Sequence, residues 1–246
     1  MTTTVPCQDE SQWTVEAGGW LRLERPCPEL DSRTPGELLS LADSLGGNLR
    51  YTIRGQRPWL CGEIRFPDVA SDPITARERL RRCAVDGPQT CRADDDWVES
   101  ILASSGLTWS RRDKRWVIAP APGRPWEIGI STGPHGVCVQ AVLATWSEIR
   151  EASRVGLARF LCLSQSGLRF CRAAMDDTSV RIVSRADAQG LLEAELPDSL
   201  LAVPAACCLL AREVQALLDE NLARVYTGGF DEREGGGSRF RGTCFP

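Results

Sequence analysis

Between Ile149 and Phe170 the hydrophobic period of the chain changes. Ile149, Ala152, Gly156, Leu157, Phe160 and Leu161 recur at three- and four-residue steps, with Glu148, Arg150, Glu151 and Arg154 between them. That spacing predicts an amphipathic helix over 147–163. Past Gly167, Leu168 and Phe170 alternate with Arg169 and Arg172, the two-residue period of a half-buried strand over 168–173. A helix running into a strand predicts helix packed on sheet, and so an α+β protein.

The rest of the chain repeats this alternation. Residues 12–25 read as a hairpin, in which Trp13 and Val15 alternate with polar neighbours and Gly18-Gly19 supplies the turn before Trp20, Leu21 and Leu23. Thr34, Pro35 and Glu37 form a cap, a first helical position and a capping partner, and Leu38, Leu41, Ala42 and Leu45 continue the helix to Gly46-Gly47. Strands follow at 49–53 and 59–66, then a short helix at 74–83. Periodicity breaks over 84–93 at Gly87 and Pro88. Asp94, Asp95 and Asp96 precede an apolar helical pattern, where carboxylates suit the cap and the helix dipole better than a metal.

Trp109–Trp116 reads as a hairpin turning at Arg112-Asp113, which sets the two tryptophans opposite each other on one face. Strands at 126–130 and 137–145 flank a turn containing Pro134 and His135. The last strand falls at 179–184, after a turn at Asp176-Asp177. A helical region from Ala188 is expected to break at Pro197, and 204–226 to carry Cys207, Leu210, Val214, Leu217 and Val225 on one seam. From Thr227 onward the Gly-rich, mixed-charge sequence predicts a disordered tail.

A shift of 119 residues lays Leu38 on Leu157, Leu41 on Phe160, Ala42 on Leu161 and Leu49-Arg50-Tyr51 on Leu168-Arg169-Phe170. Both halves then read hairpin, helix, strand, strand, helix. The expected organisation is therefore two similar lobes, each an antiparallel sheet with helices on it: 1–88, lacking the first helix, and 89–226, followed by the tail 227–246.

Composition narrows function by exclusion. With 246 residues and 42% hydrophobic content the chain can bury a core, and its net charge of −4 argues against sequence-independent nucleic-acid binding. Eleven cysteines without CxxC spacing read as reduced, mostly buried thiols of a cytoplasmic protein. No signal peptide and no apolar run of bilayer length is expected. A single histidine, His135, and a single lysine, Lys114, leave no histidine-based triad and no phosphate-cradling lysine loop, and no cofactor or metal is expected. Adjacent Cys207 and Cys208 read as core packing rather than a redox pair.

The order from Asp94 to Tyr226, helix, strands, helix, two strands, helix, resembles the type III secretion chaperone-like fold, which includes the bacterial YbjN-type domains. The resemblance covers the second half directly and the first through the proposed duplication. It implies an acidic, cytosolic, non-enzymatic protein that binds an extended segment of a protein partner. It also implies that helices 34–45 and 147–163, with strands 49–53 and 168–173, face each other as an internal pseudo-dimer, so that a monomer suffices.

The candidate partner-binding set is Trp97, Ile101 and Leu102 on the first helix of the second lobe, with Trp109, Trp116, Arg111, Arg112 and Arg115 on the next hairpin. Aromatic rings beside arginines can hold peptide or single-stranded nucleic acid; a solvated hairpin tip is the plainer account. A cysteine-dependent hydrolase or redox enzyme is the alternative function, and it requires an exposed thiol of lowered pKa beside a base.

Overall fold

The computed structural model of the chain describes residues 3–6, 11–16, 20–42, 44–45, 48–65, 74, 77–78, 80–81, 93–120, 125–134, 136–186, 192–219 and 221–222. It is α+β with two antiparallel sheets. The first contains β1 (Thr3–Pro6), β2 (Gln12–Glu16), β3 (Trp20–Pro26), β4 (Arg50–Arg54) and β5 (Arg57–Arg65), in the order β1-β2-β3-β5-β4. The second contains β6 (Trp109–Arg112), β7 (Arg115–Ile118), β8 (Ile128–Gly133), β9 (Gly136–Thr145), β10 (Arg172–Met175) and β11 (Ser179–Ala186), in the order β10-β11-β9-β8-β7-β6. The helices are α1 (Pro35–Ala42), α2 (Asp95–Ser104), α3 (Glu151–Ser164) and α4 (Leu192–Leu217).

The two sheets share one topology. In each, a meander leads through a helix to an outer strand, and the last strand returns between that strand and the meander, giving β3-β5-β4 and β9-β11-β10. Local chemistry sets the corners. Gly55 and Gln56 both take positive φ, 55° and 77°, which gives β4–β5 a tight two-residue turn. Ahead of α1, the Glu37 carboxylate accepts from the Thr34 backbone N–H at 2.7 Å while Glu37 N–H donates to Thr34 Oγ1 at 3.3 Å, the reciprocal capping predicted. A one-sided Thr-x-x-Glu contact recurs in the turn after β9, with the backbone N–H of Thr145 on Glu148 Oε2 at 2.7 Å; it caps no helix, since α3 starts later behind Arg150.

The lobes meet through α1, α3, β4 and β10. Leu38 and Leu39 of α1 belong to the large core that also holds Leu157, Leu161, Ile182, Val203 and Leu210. Trp13, Leu21, Leu23, Leu60 and Leu80 form a smaller core in the first lobe, and Leu30 and Tyr51 pack against both. Two arginines at equivalent strand starts cross the boundary in opposite directions. Arg50 Nε donates to the Gln165 carbonyl at 2.7 Å, while Arg172 donates to the carbonyls of Leu49 and Leu45 at 3.1 and 3.2 Å. Both side chains are fully buried. Gln165 completes the seam, its Nε2 on the Tyr51 carbonyl at 2.8 Å and its Oε1 accepting from Ala173 N–H at 2.9 Å.

Several expectations need correction. Residues 168–171 are not strand: a 3₁₀ turn spans Gln165–Gly167, Phe170 takes φ 58°, and pairing begins only at Arg172. The left-handed residue turns the Phe170 ring against Trp20 of the first lobe, edge to face at 4.2 Å between centroids. By strand register the counterpart of Arg50 is thus Arg172, facing Val183 as Arg50 faces Cys61, and not Arg169 three residues earlier. The 119-residue shift matches the buried faces of the helices, and the strands drift because α3 ends at Ser164, three residues past the counterpart of Ala42.

Pro197 does not break the last helix. α4 runs through Pro197 and Pro204, because its packing on β9 and β11 outweighs the lost backbone hydrogen bonds. Its segment Glu195–Leu217 is long and apolar enough, by length and composition, to cross a bilayer, contrary to expectation. β1 went unforeseen. The proposed boundary at 88, His135 and the tail lie outside the described residues, as does half of helix 74–83, whose described residues are helical.

Candidate functional site

α2 begins where Asp94 caps it, the carboxylate accepting from Asp96 N–H at 3.2 Å, so the acidic run serves as a helix start. The helix places Val98 and Leu102 in the core with no exposure, and Trp116 is as deeply buried, its indole N–H on Glu99 at 3.1 Å. Leu102 and Trp116 therefore offer no surface to a partner, contrary to expectation. The hairpin turns at Asp113-Lys114 rather than Arg112-Asp113, so Trp109 faces Ile118 and Trp116 faces Arg111. The tryptophans share a face without being opposite. Trp97, Ile101 and Trp109 are half-buried against the same core.

Two cations of the basic tip are paired with carboxylates. Arg111 pairs with Asp95 at 2.6 Å and Glu99 at 2.9 Å, and its guanidinium lies 5.1 Å above the Trp116 ring. Arg112 pairs with Glu127 at 2.9 Å. Arg115 is exposed at the turn. These pairs are exposed and each is worth little, so the case against nucleic acid rests on the chain's net charge of −4.

Of the predicted set, Ile101 lines a groove, which opens at the other end of α2. Gly106, with φ 69°, ends the helix and sends Leu107 and Thr108 over the sheet. There Ile101, Leu107, Ile118, Trp126, Leu200 and Leu201 bound a mostly apolar space of about 660 Å³ between α2 and α4. Leu107 is 38% exposed and Leu201 70%. Pro197 and Pro204 of α4 form part of the wall. Sequence reasoning missed this side because Pro197 was expected to end a helix; the signal available was the apolar Leu200-Leu201 pair between two prolines seven residues apart.

A second cavity of about 550 Å³ lies at the lobe boundary, lined by Thr34, Ser40, Trp146, Arg154, Val155 and Asp176. Trp146 is fixed by its indole N–H on the Asp176 carbonyl at 2.5 Å and carries the Arg154 guanidinium 4.9 Å above its ring. The Asp176 carboxylate caps its own turn, accepting from Thr178 and Ser179 N–H at 2.8 Å. Partial burial works against its charge, but those hydrogen bonds and Arg181 outweigh it and hold its pKa at about 2.

Burial pushes the Cys61 thiol up to about 11 despite Arg50 and Arg54, and those of Cys162, Cys171 and Cys207 to about 12. Cys208, expected in the core, is exposed on α4. Among the described residues no group of three or more metal-ligating side chains comes together.

Fold and groove together define a class: an α+β protein of two like lobes with an apolar groove on the larger. No protein-family model, curated protein or solved structure matches the chain.

Proposed function

We propose that the protein is a non-enzymatic, cytosolic polypeptide-binding module of chaperone or adaptor type, built as a tandem of type III secretion chaperone-like, YbjN-type domains. The observation that carries this reading is the apolar groove between α2 and α4, open beside Leu107 and Leu201 and next to the edge strand β6. An extended apolar segment seated there gains burial from the groove and backbone hydrogen bonds from the strand edge. The paired lobes support the same reading, since α1 with β4 and α3 with β10 meet as two chaperone-like domains would in a dimer. The cysteine-enzyme alternative draws nothing from Cys61, Cys162, Cys171 and Cys207, because the thiolate is the nucleophile and their burial suppresses it.

Selection of a random 12-residue peptide library on the immobilised full chain tests the proposal. Enrichment of extended, apolar-rich peptides, with affinity falling at least tenfold in Leu107→Asp, is the expected result. Absence of enrichment, or a single hyper-reactive cysteine under thiol profiling, contradicts it.

A further inference from the structure

The long helix α4 has two apolar faces, and its own sheet covers only one. Leu196, Leu200, Val203, Cys207, Leu210, Val214 and Leu217 are buried. On the outward side Leu201 and Leu209 are each 70% exposed, with Ala205 and Cys208 exposed between them. A helix that needed only to cover its sheet would carry polar residues at these positions.

The outward face has an order that reads the same from either end. Asp198, Leu201, Ala205, Leu209 and Arg212 follow at steps of three, four, four and three residues, which keeps them on one side of an α-helix. Leucines flank a central alanine at equal distance, and beyond them stand a half-buried carboxylate at one end and an exposed guanidinium at the other. A two-fold axis through Ala205 sets a second α4 antiparallel to the first. Leu201 of each copy then meets Leu209 of the other, and Asp198 of each meets Arg212 of the other. Ala205 on the axis lets the backbones approach to the roughly 8–10 Å of packed helices.

We infer that this face of α4 is the interface for a second copy of the chain, joined as an antiparallel helix pair. A patch that contacts itself must be self-complementary under the two-fold, and the opposite charges at equal distances from Ala205 satisfy that condition twice. An unrelated partner requires no such symmetry. The surface is distinct from the seam between the two lobes, and it adjoins the groove, because Leu201 belongs to both. Two copies would therefore bring two grooves to one shared helix pair.

Sedimentation equilibrium of the full chain tests this. Wild type is expected to dimerise in a concentration-dependent way below 100 µM, an order of magnitude typical of a small interface. Asp198→Arg and Arg212→Asp should each weaken the dimer at least tenfold, and the double exchange should restore it. Ala205→Cys in a Cys208→Ser background should form an intermolecular disulfide on mild oxidation. Circular dichroism confirms that each variant is folded, and a variant that unfolds is replaced by Leu209→Asp, which lies wholly outside the core. A monomer at 100 µM, or no rescue by the charge exchange, overturns the inference. So does binding of the same face to phosphatidylcholine vesicles by a monomeric chain.

Discussion

The two lobes use one topology to solve one problem differently. Each begins its outer strand with a buried arginine, Arg50 in β4 and Arg172 in β10, and each must satisfy a guanidinium out of reach of water. The first lobe supplies a carboxylate of its own: Glu63 takes Arg50 in a two-pronged ion pair at 2.7 and 2.6 Å. Burial works against the Arg50 charge, yet Glu63 outweighs it and leaves the pKa raised. In the second lobe, Arg172 reaches the backbone carbonyls of Leu45 and Leu49 in the other lobe. Arg50 is thus held both within its own lobe and across the seam, and the bonds of Arg172 to Leu45 and Leu49 tie the larger lobe to the smaller. A tandem can diverge in this way because only the seam as a whole has to be satisfied.

The largest test of that difference is Glu63→Ala, which strands a buried charge. The expected loss is about 3–5 kcal/mol in urea denaturation, and replacing Arg50 by Met in the same background should recover part of it. Arg172→Met leaves two carbonyls short of a donor and should cost about 2–3 kcal/mol, read in the same experiment. Gly62→Ala acts on the first lobe alone. A Cβ there would run into Leu49 of the smaller core, for an expected loss of about 1–3 kcal/mol. The equivalent strand position in the second lobe is Ser184, which has room for a hydroxyl shared with Ser199 at 2.7 Å and Asn48 at 3.0 Å.

The smallest effect is on acid stability. The Thr34 backbone N–H lowers the pKa of Glu37, and that of Thr145 lowers Glu148, while Asp176 titrates near 2. Folded-state values below the unfolded ones mean stabilisation that is full above about pH 4.5 and lost as pH falls toward 2. Thermal melting between pH 6 and 2 should show this decline, shared by both lobes because each holds one glutamate on a threonine backbone N–H. Replacing Asp176 by Asn should flatten its lower end.

Much of the fold was legible in the sequence because periodicity and capping are local. Thr34 with Glu37, Asp94 before α2, and the period change around Gly167 each declare an element within a few residues. The seam was harder. Arg50, between Leu49 and Tyr51, looks like an ordinary outward residue, and Arg172 falls in step with Leu168 and Phe170 with nothing local to provide for its charge, so only tertiary structure shows both buried; the strand expected from 168 begins at Arg172, after Phe170 in a left-handed conformation rare for a bulky residue. The groove was missed for a similar reason. Pro197 and Pro204 mark a break by local rules, whereas packing on β9 and β11 keeps α4 continuous and sets Leu200 and Leu201 opposite Ile101.

The central claim is that the lobes act as one paired unit, since Leu38 and Leu39 of the first lobe sit in the core of the second and each arginine bonds across the seam. Hydrogen exchange in increasing urea, followed at Leu60 of β5 and Ile182 of β11, measures this directly. The account predicts that both amides open with the same free energy and the same dependence on urea, and that Arg172→Met lowers both together. Exchange at Leu60 through a separate, lower-energy opening while Ile182 remains protected would contradict it.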